Sequence, residues 1–343
     1  MPMTMSSAKR VVVTGASGFL GKHVVLALLR AGHSVRASVR NAEMAEQVRR
    51  AVLPHGDGEA GERLEFATLD LTRDAGWAEA MAGAAALIHT ASPCPIAQPK
   101  DPDDLIRPAV DGTKRALCAA RAAGVERVVL TSSAIAVIQP WRRDGHVFTE
   151  DDWSDAAGLP AQPYARSKVI AERTAWEFAA REGLRLTVFN PTFILGPLLD
   201  DRFGSSMQLV RRVLRGRDPM LPRLGLSIVD VRDVAAAHVR ALERDGTEGQ
   251  RFILASGSLW LTDWGKVLKT LYPRRRMPTR AAPLPLLRLL ALFDGEIRTA
   301  LPSVGHMDEL RSDKARDYLG IDFIPPDRAL IAAAEALVSR GLV

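Results

Sequence analysis

The sequence predicts an α/β protein: a doubly wound parallel sheet with helices on both faces, joined to a smaller, helix-rich C-terminal lobe. Three observations lead there. Short β-branched runs alternate with amphipathic helical stretches six times between residue 10 and about residue 190, the pattern of a parallel sheet covered on both sides. A glycine-rich loop joins the first run to the first helix. After Pro191 the alternation gives way to Gly/Pro punctuation at LGPLLDDRFG and RGRDPMLPRLG, then to helix-rich chain from about Leu261 onward.

Taken in order, RVVVTG is the first strand and precedes a helix over 18–31. HSVRASV precedes a helix over 42–52, LEFATLD a short one over 75–81, and ALIHTA a long one over 103–123. ERVVLTSS leads through a loop to a helix bearing YARSK, and LRLTVFNPT is the sixth strand. The first unit therefore covers 1–190. SIVDVRDVAAAHVRAL and QRFILAS are expected to return to the large sheet or border it, giving returning segments near 228–256. The remainder, 191–227 and 257–343, is expected to form a lobe over the strand ends.

Composition narrows the function. A hydrophobic share of 47% with 25% charged residues is that of an ordinary soluble, folded chain. The most apolar late segment, PLPLLRLLALF at 283–293, is interrupted by prolines and Arg288, so no membrane partner is expected. No secretory core precedes the first strand, and two cysteines, Cys94 and Cys118, cannot build a disulfide scaffold. A cytoplasmic location is the expectation. Of the 46 basic residues, 38 are Arg (46 less eight Lys), spread along the chain without a dense stripe. The net charge of +6 thus suits a small anionic ligand better than a nucleic acid. His, Cys and carboxylates show no metal-ligand spacing, and no metal is expected.

The glycine loop, TGASGFLG at 14–21, lies directly between strand and helix. Gly15 permits the tight turn, Gly18 lets the backbone approach a pyrophosphate at the helix N-terminus, and Gly21 allows the helix to pack closely. No Asp or Glu occurs between Lys22 and Ala42, where an NAD enzyme offers an acid to the adenosine ribose. Arg36 and Arg40 stand there instead, and guanidinium suits a 2′-phosphate, so NADPH/NADP+ is the expected cofactor, with Arg40 the better placed arginine. Asp70, ending LEFATLD, is placed either to bond the adenine edge or to cap the stretch that follows.

Tyrosine is scarce in this chain. Among the three tyrosines, Tyr164, Tyr272 and Tyr318, only Tyr164 has a lysine four residues on, Lys168, and so on the same helical face. Thr131, Ser132 and Ser133 end the fifth strand at the edge where open α/β sheets bind ligands. Hydride attack on a carbonyl creates an alkoxide that needs a proton, and a free phenol with pKa about 10 is too weak an acid near neutrality. A neighbouring ammonium moves the phenol toward the working pH.

TGASGFLG, TSSA at 131–134 and YARSK together resemble the extended short-chain dehydrogenase/reductase family, and the likeness runs along essentially the whole chain through LIHTASP, PAVDGTKRAL, FNPTFILGP and VDVRDVAAAH. TSSAIAV, FTEDDWSD and SVRNAE are most similar to its dihydroflavonol reductase, cinnamoyl-CoA reductase and aldehyde reductase branch. The resemblance implies a Rossmann-type fold with Ser133 as carbonyl hydrogen-bonder, Ser132 as a possible substitute, Tyr164 as acid/base and Lys168 as ribose binder. It further implies cofactor contacts from Ser17, from the Phe19 and Leu20 amides, from Leu71 beside Asp70, and from Ala91, Pro191 and Thr192. LPAQP before Tyr164 departs from the Asn-Trp-Tyr-Cys-Tyr signature of cinnamoyl-CoA reductases, which points away from that substrate.

The expected activity is NADPH-dependent reduction of an aldehyde or ketone, reversible as alcohol oxidation, by a monomer or homodimer acting on a small apolar or aromatic carbonyl. The alternatives are a nucleotide-sugar epimerase or dehydratase holding NAD, and a non-catalytic NADP-binding regulator. The epimerase pattern Ser-Ala-x-x-Tyr is not met, since Ile138 and Gln139 stand near its tyrosine position. The substrate wall is expected from ASPCPIAQPKDP, IAVIQPWRRD and the lobe, with Trp141, Phe193, Phe203 and Met207 as lining candidates. His89, His146 and Cys94 are read as structural rather than catalytic.

Overall fold

The computed structural model describes residues 9–93, 101–139, 145–159, 162–293 and 295–343. The chain begins with β1 (Arg10–Thr14), α1 (Phe19–Arg30), β2 (Ser34–Val39), α2 (Ala42–Val52), β3 (Leu64–Thr68), α3 (Trp77–Met81), β4 (Ala86–His89), α4 (Asp103–Ala122) and β5 (Arg127–Thr131). It continues through β6 (Val147–Phe148), α5 (Pro163–Glu182), β7 (Arg185–Pro191), β8 (Phe193–Leu195), α6 (Ser205–Arg215), β9 (Gly225–Asp230), α7 (Val231–Glu243) and β10 (Gln250–Leu254). It ends with β11 (Gly257–Trp260), α8 (Leu261–Leu271), α9 (Leu284–Leu290), α10 (Gly295–Ala300), β12 (Glu309–Leu310), α11 (Asp313–Leu319) and α12 (Pro326–Ser339).

Seven strands form the main sheet in the order β10-β7-β5-β4-β1-β2-β3, every pair parallel. The valine run of β1 explains why helices must cover both faces. Val11 and Val13 point into one core with Val24, Val25, Leu28 and Leu29 of α1, while Val12 points into the other with Leu117 of α4 and Phe178 of α5. Burying each such side chain stabilises the fold by roughly 1.5–3 kcal/mol, so a polar residue on either face would be costly.

The six expected strands are present, and QRFILAS supplies the seventh, β10, at the edge beside β7. The segment SIVD behaves differently. It forms β9 in a separate three-stranded sheet, between parallel β8 and antiparallel β11, while α7 after it packs against α1, so the stretch borders the main sheet. The helix expected over 75–81 starts two residues later, at Trp77, because Gly76 before it is left-handed at φ +85°.

A third core gathers Leu195, Met207, Val210, Val213, Leu261, Trp264, Leu268, Ala329, Ala333 and Leu337. The C-terminal stretch divides: α12 packs into this third core, whereas Ala315, Leu319, Ile321 and Phe323 join the α1 face of the main sheet. Among the described residues no helix is long and apolar enough to cross a membrane.

Candidate active site

Strand order reverses between β1 and β4, so the crevice for a ligand opens at their carboxyl ends, where Thr14 and His89 are register partners. Three bonds close this corner: Thr90 Oγ1 donates to Thr14 O (2.6 Å), Ala91 N to Thr14 Oγ1 (3.2 Å), and Thr14 Oγ1 meets His89 Nδ1 (2.7 Å). Gly15 turns at φ +72°, and a Cβ there would lie 2.8 Å from Ala91 Cα. Its lack of a side chain therefore serves both the turn and the contact with Ala91. Gly18 is exposed and begins α1, and an added Cβ would meet only the Gly15 carbonyl oxygen at 3.2 Å. A glycine cannot cap with a side chain, so the first amides of α1, including Phe19 and Leu20, remain for an anion. A Cβ on Gly21 would run into Gly15 O and Ala16 Cα, so the close packing expected of it is against the loop itself. Ser17 sits half-buried in this turn.

Tyr164 and Lys168 stand one turn apart near the start of α5. Pro163 is the first helical residue, where its missing N–H costs no bond. The Lys168 Nζ lies 5.9 Å from the Tyr164 ring centroid, and Lys168 is buried at 8% exposure while Tyr164 is half-buried. Burial pushes the His89 imidazole down to about 3, with the Lys168 charge adding to it. Burial thus makes His89 too weak a base to act near neutrality. Ser133 follows β5 and starts the 3-10 turn Ala134–Ala136, which packs on α5; its Oγ accepts from Ile135 N (3.3 Å). An accepting oxygen keeps its own O–H available to donate.

Ser132 is used elsewhere. Its hydroxyl donates to Glu172 Oε2 (2.5 Å), a carboxylate with no exposed side-chain surface that also accepts from Asn190 Nδ2 (2.7 Å) and Arg251 Nε (2.6 Å). The Ser132 hydroxyl is thus committed to Glu172, whereas the Ser133 oxygen only accepts, from Ile135 N. Asn190 Nδ2 also donates to Ser133 O (3.1 Å). The Arg251 guanidinium lies 3.8 Å from the Trp153 ring centroid and donates to Glu150 O and Asp152 O, tying FTEDDWSD to β10. None of Glu172, Asn190 or Arg251 stands out in the sequence, because each becomes meaningful only through partners far along the chain.

Nor does Lys22 stand out. Only 2% exposed, it pairs with Asp200 of the loop after β8, while Arg340 holds Asp201 (3.1 Å) and the carbonyl of Leu199 (2.9 Å). The first turn of α1 is thereby joined to the C-terminal helix. His23 reaches the same loop at Pro197 O (3.0 Å), and burial lowers its pKa to about 4.

On the adenosine side the two arginines separate. Arg36 is inside β2, bonded to Glu65 (3.0 Å) and to the carbonyls of Ala80 and Ala82 (2.8 Å each), so its guanidinium is engaged at the end of α3. Arg40 is exposed just beyond β2. Asp70 lies two residues past β3, and its Oδ1 accepts from Thr72 N (2.8 Å) and Thr72 Oγ1 (2.7 Å). Those bonds, the backbone one foremost, lower its pKa, and nearby Arg40 contributes. Asp70 thus caps a turn; the helix that follows is preceded by Gly76. Leu71 lies against Gly112 of α4, where a Cβ would approach within 2.9 Å.

Pro191 ends β7, and Thr192 is fastened to β10 by its N–H and hydroxyl, each 3.1 Å from Leu254 O. Met207 is wholly buried in the lobe core and cannot line a pocket; Phe193 and Phe203 are partly buried against that core. Trp141 and Cys94 lie outside the described residues, as do parts of both expected substrate loops, 94–100 and 140–144. His146 pairs with Asp152 (3.0 Å). Among the described residues no group of three or more His, Cys, Asp or Glu is arranged to hold a metal ion.

The model of the NAD dependent epimerase/dehydratase family matches residues 11–255. The chain is 35% identical to cinnamoyl-CoA reductase 1 of Arabidopsis thaliana over 99% of its own length and 93% of that protein. It is 30% identical to anthocyanidin reductase of Vitis vinifera, covering 81% of this chain and 85% of the other. Among solved structures, the yeast methylglyoxal/isovaleraldehyde reductase Gre2 complexed with NADPH superposes with a TM-score of 0.81 at 27% identity, covering 97% of this chain and all of that one.

Proposed function

The chain belongs to the NAD dependent epimerase/dehydratase family, the extended short-chain dehydrogenases/reductases, and from that premise we propose that it is an oxidoreductase reducing an aldehyde or ketone with NADPH. The observation that carries this reading is the meeting of three groups at one sheet edge: Ser133 after β5, and Tyr164 with Lys168 on the helix against which the Ser133 turn packs. The reductase names of its relatives, one of them solved with NADPH, support it.

The dinucleotide, when bound, supplies the hydride. The residues present suit it: an exposed glycine and open amides at the start of α1 for the pyrophosphate, and Arg40 beyond β2 for a 2′-phosphate. Ser133 donates its hydroxyl hydrogen to the substrate carbonyl oxygen, polarising it. Tyr164 gives a proton to that oxygen as it becomes an alkoxide, so the carbonyl ends as an alcohol and the tyrosine as a phenolate. The Lys168 ammonium favours the phenolate and makes the phenol a stronger acid. In the oxidative direction the same phenolate takes the proton back. A positioned acid of this kind is worth about 10²–10⁴ in rate.

The family also contains epimerases and dehydratases, and the description of the matching model keeps that reading as the alternative. The two separate by experiment. NADPH and NADH absorbance is followed with a panel of aromatic and aliphatic aldehydes, ketones and 1,2-diketones, using Tyr164→Phe as control. The expected result is net NADPH consumption that falls at least about 100-fold in the variant. Turnover untouched by Tyr164→Phe rejects the assignment, and copurified NAD without net turnover favours the epimerase.

A further inference from the structure

Within that reading, we propose that Glu172 is a positioning residue: its buried carboxylate fixes the end of β5, and with it the Ser133 hydroxyl, against the helix that carries Tyr164 and Lys168. Glu172 follows Lys168 by four residues and Tyr164 by eight, so it lies on the same side of α5. Its two oxygens take bonds from three other elements: Ser132 after β5, Asn190 of β7 and Arg251 of β10. Asn190 bridges onward to the Ser133 carbonyl. Consecutive residues of the strand end are therefore held by one carboxylate, Ser132 directly and Ser133 through an amide. With its backbone fixed, Ser133 has only its side chain left to move.

Apolar packing could dock α5 on the sheet without removing a carboxylate and a guanidinium from water, and a buried ion pair adds little stability over such packing. What it adds is direction. Each bond from Glu172 has a definite angle, whereas aliphatic contacts tolerate sliding. Arg251 is itself fixed by Trp153 beneath its plane and by two loop carbonyls. The carboxylate thus has a rigid counter-ion, and its position is transmitted to the serine.

The test is a double-mutant cycle between Glu172→Gln and Ser133→Ala, read in NADPH turnover with the best carbonyl of the panel and accompanied by circular dichroism and melting curves. Glu172→Gln keeps the shape and loses one strong acceptor. Misplacing a reacting group by about 1 Å can cost about a hundredfold, and a partial displacement predicts a kcat loss of roughly tenfold with the NADPH KM within about twofold. In the Ser133→Ala background the same substitution should cost less than about twofold, because the group it positions is gone. An equal loss in both backgrounds, or an unchanged kcat in Glu172→Gln, overturns the proposal. If Glu172→Gln fails to fold, Glu172→Gln/Arg251→Met removes both charges together and should show the same kcat loss; normal kcat there also overturns it. Loss in Tyr164→Phe with none in Glu172→Gln rejects the positioning role alone, whereas turnover unaffected by Tyr164→Phe rejects the reductase reading. Crystal structures give a readout independent of turnover: Ser133 Oγ should shift relative to Tyr164 in Glu172→Gln, and an unmoved serine counts against the role.

Discussion

His238 makes the folded protein sensitive to acid in a way that can be isolated. The ring is fully buried, and both nitrogens are engaged: Nδ1 lies 2.7 Å from Val234 O and Nε2 lies 2.7 Å from Thr131 Oγ1. A carbonyl can only accept, so Nδ1 carries the hydrogen and Nε2 accepts from the threonine hydroxyl. This neutral tautomer is satisfied, and burial lowers the imidazole pKa from 6.5 to about 4. Below pH 6.5 the unfolded chain takes up a proton that the folded chain refuses, so stability is full above that pH and drains away as pH falls toward 4. From pH 7 to pH 5 the loss spans about 1.5 pH units at about 1.36 kcal/mol each, roughly 2 kcal/mol. His238→Gln keeps an acceptor within reach of Thr131 and removes the titration. The wild type and the variant are unfolded in urea at pH 7 and pH 5, followed by tryptophan fluorescence. Contributions from His23 and His89, which lose stability in acid, and from Asp233, whose raised pKa of about 6 works in the opposite direction, are common to both proteins and cancel. The variant should lose about 2 kcal/mol less than the wild type between the two pH values. Equal losses would refute the neutral, buried histidine as the cause.

Further outcomes follow from the same geometry. Arg40→Ala should raise the NADPH KM by about 10–100-fold, the equivalent of roughly 1.5–3 kcal/mol for a charge-assisted contact, and leave NADH nearly untouched; equal effects on both would remove Arg40 from cofactor choice. Gly15→Ala must adopt φ +72° and push against Ala91, so beyond the roughly 1–2 kcal/mol of left-handed backbone it should lower the melting temperature and weaken dinucleotide binding, both visible in a thermal-shift titration. Arg251→Met leaves Glu172 buried without its counter-ion and should cost about 3–5 kcal/mol in urea unfolding; a loss below about 1 kcal/mol would mean the pair is not insulated from water.

The legible parts of this chain are those whose logic is local. Gly15, Gly18 and Gly21 act on one another across a single turn, and Tyr164 reaches Lys168 across another, so spacing alone brings them together. The valines of β1 face both cores through simple alternation, which is why the layered sheet could be expected. Arg36 and Arg40 show where such reading stops. Both follow the first helix in an acid-free stretch, but Arg36 meets Glu65 and the end of α3, and only the folded sheet reveals that partner. Lys22 with Asp200, and Glu172 with Arg251, are separated by 178 and 79 residues, and no periodicity marks them. Thr131, Ser132 and Ser133 look interchangeable in sequence; their neighbours His238, Glu172 and Ile135 give them three different tasks.

The placement of β10 has a consequence for synthesis on the ribosome. The glutamate at 172 leaves the exit tunnel well before its arginine at 251, and at about 5–20 residues per second the 79 positions between them take about 4–16 s to make. During that interval six of the seven strands of the main sheet, all but β10, can pair around a carboxylate that has no cation, and closing the interior there is unfavourable. The nascent chain should therefore stay open at this edge, protease-sensitive and within reach of chaperones, until the last strand emerges and locks it. A fragment released at residue 190 would stop at that open stage, still waiting for a charge encoded farther downstream.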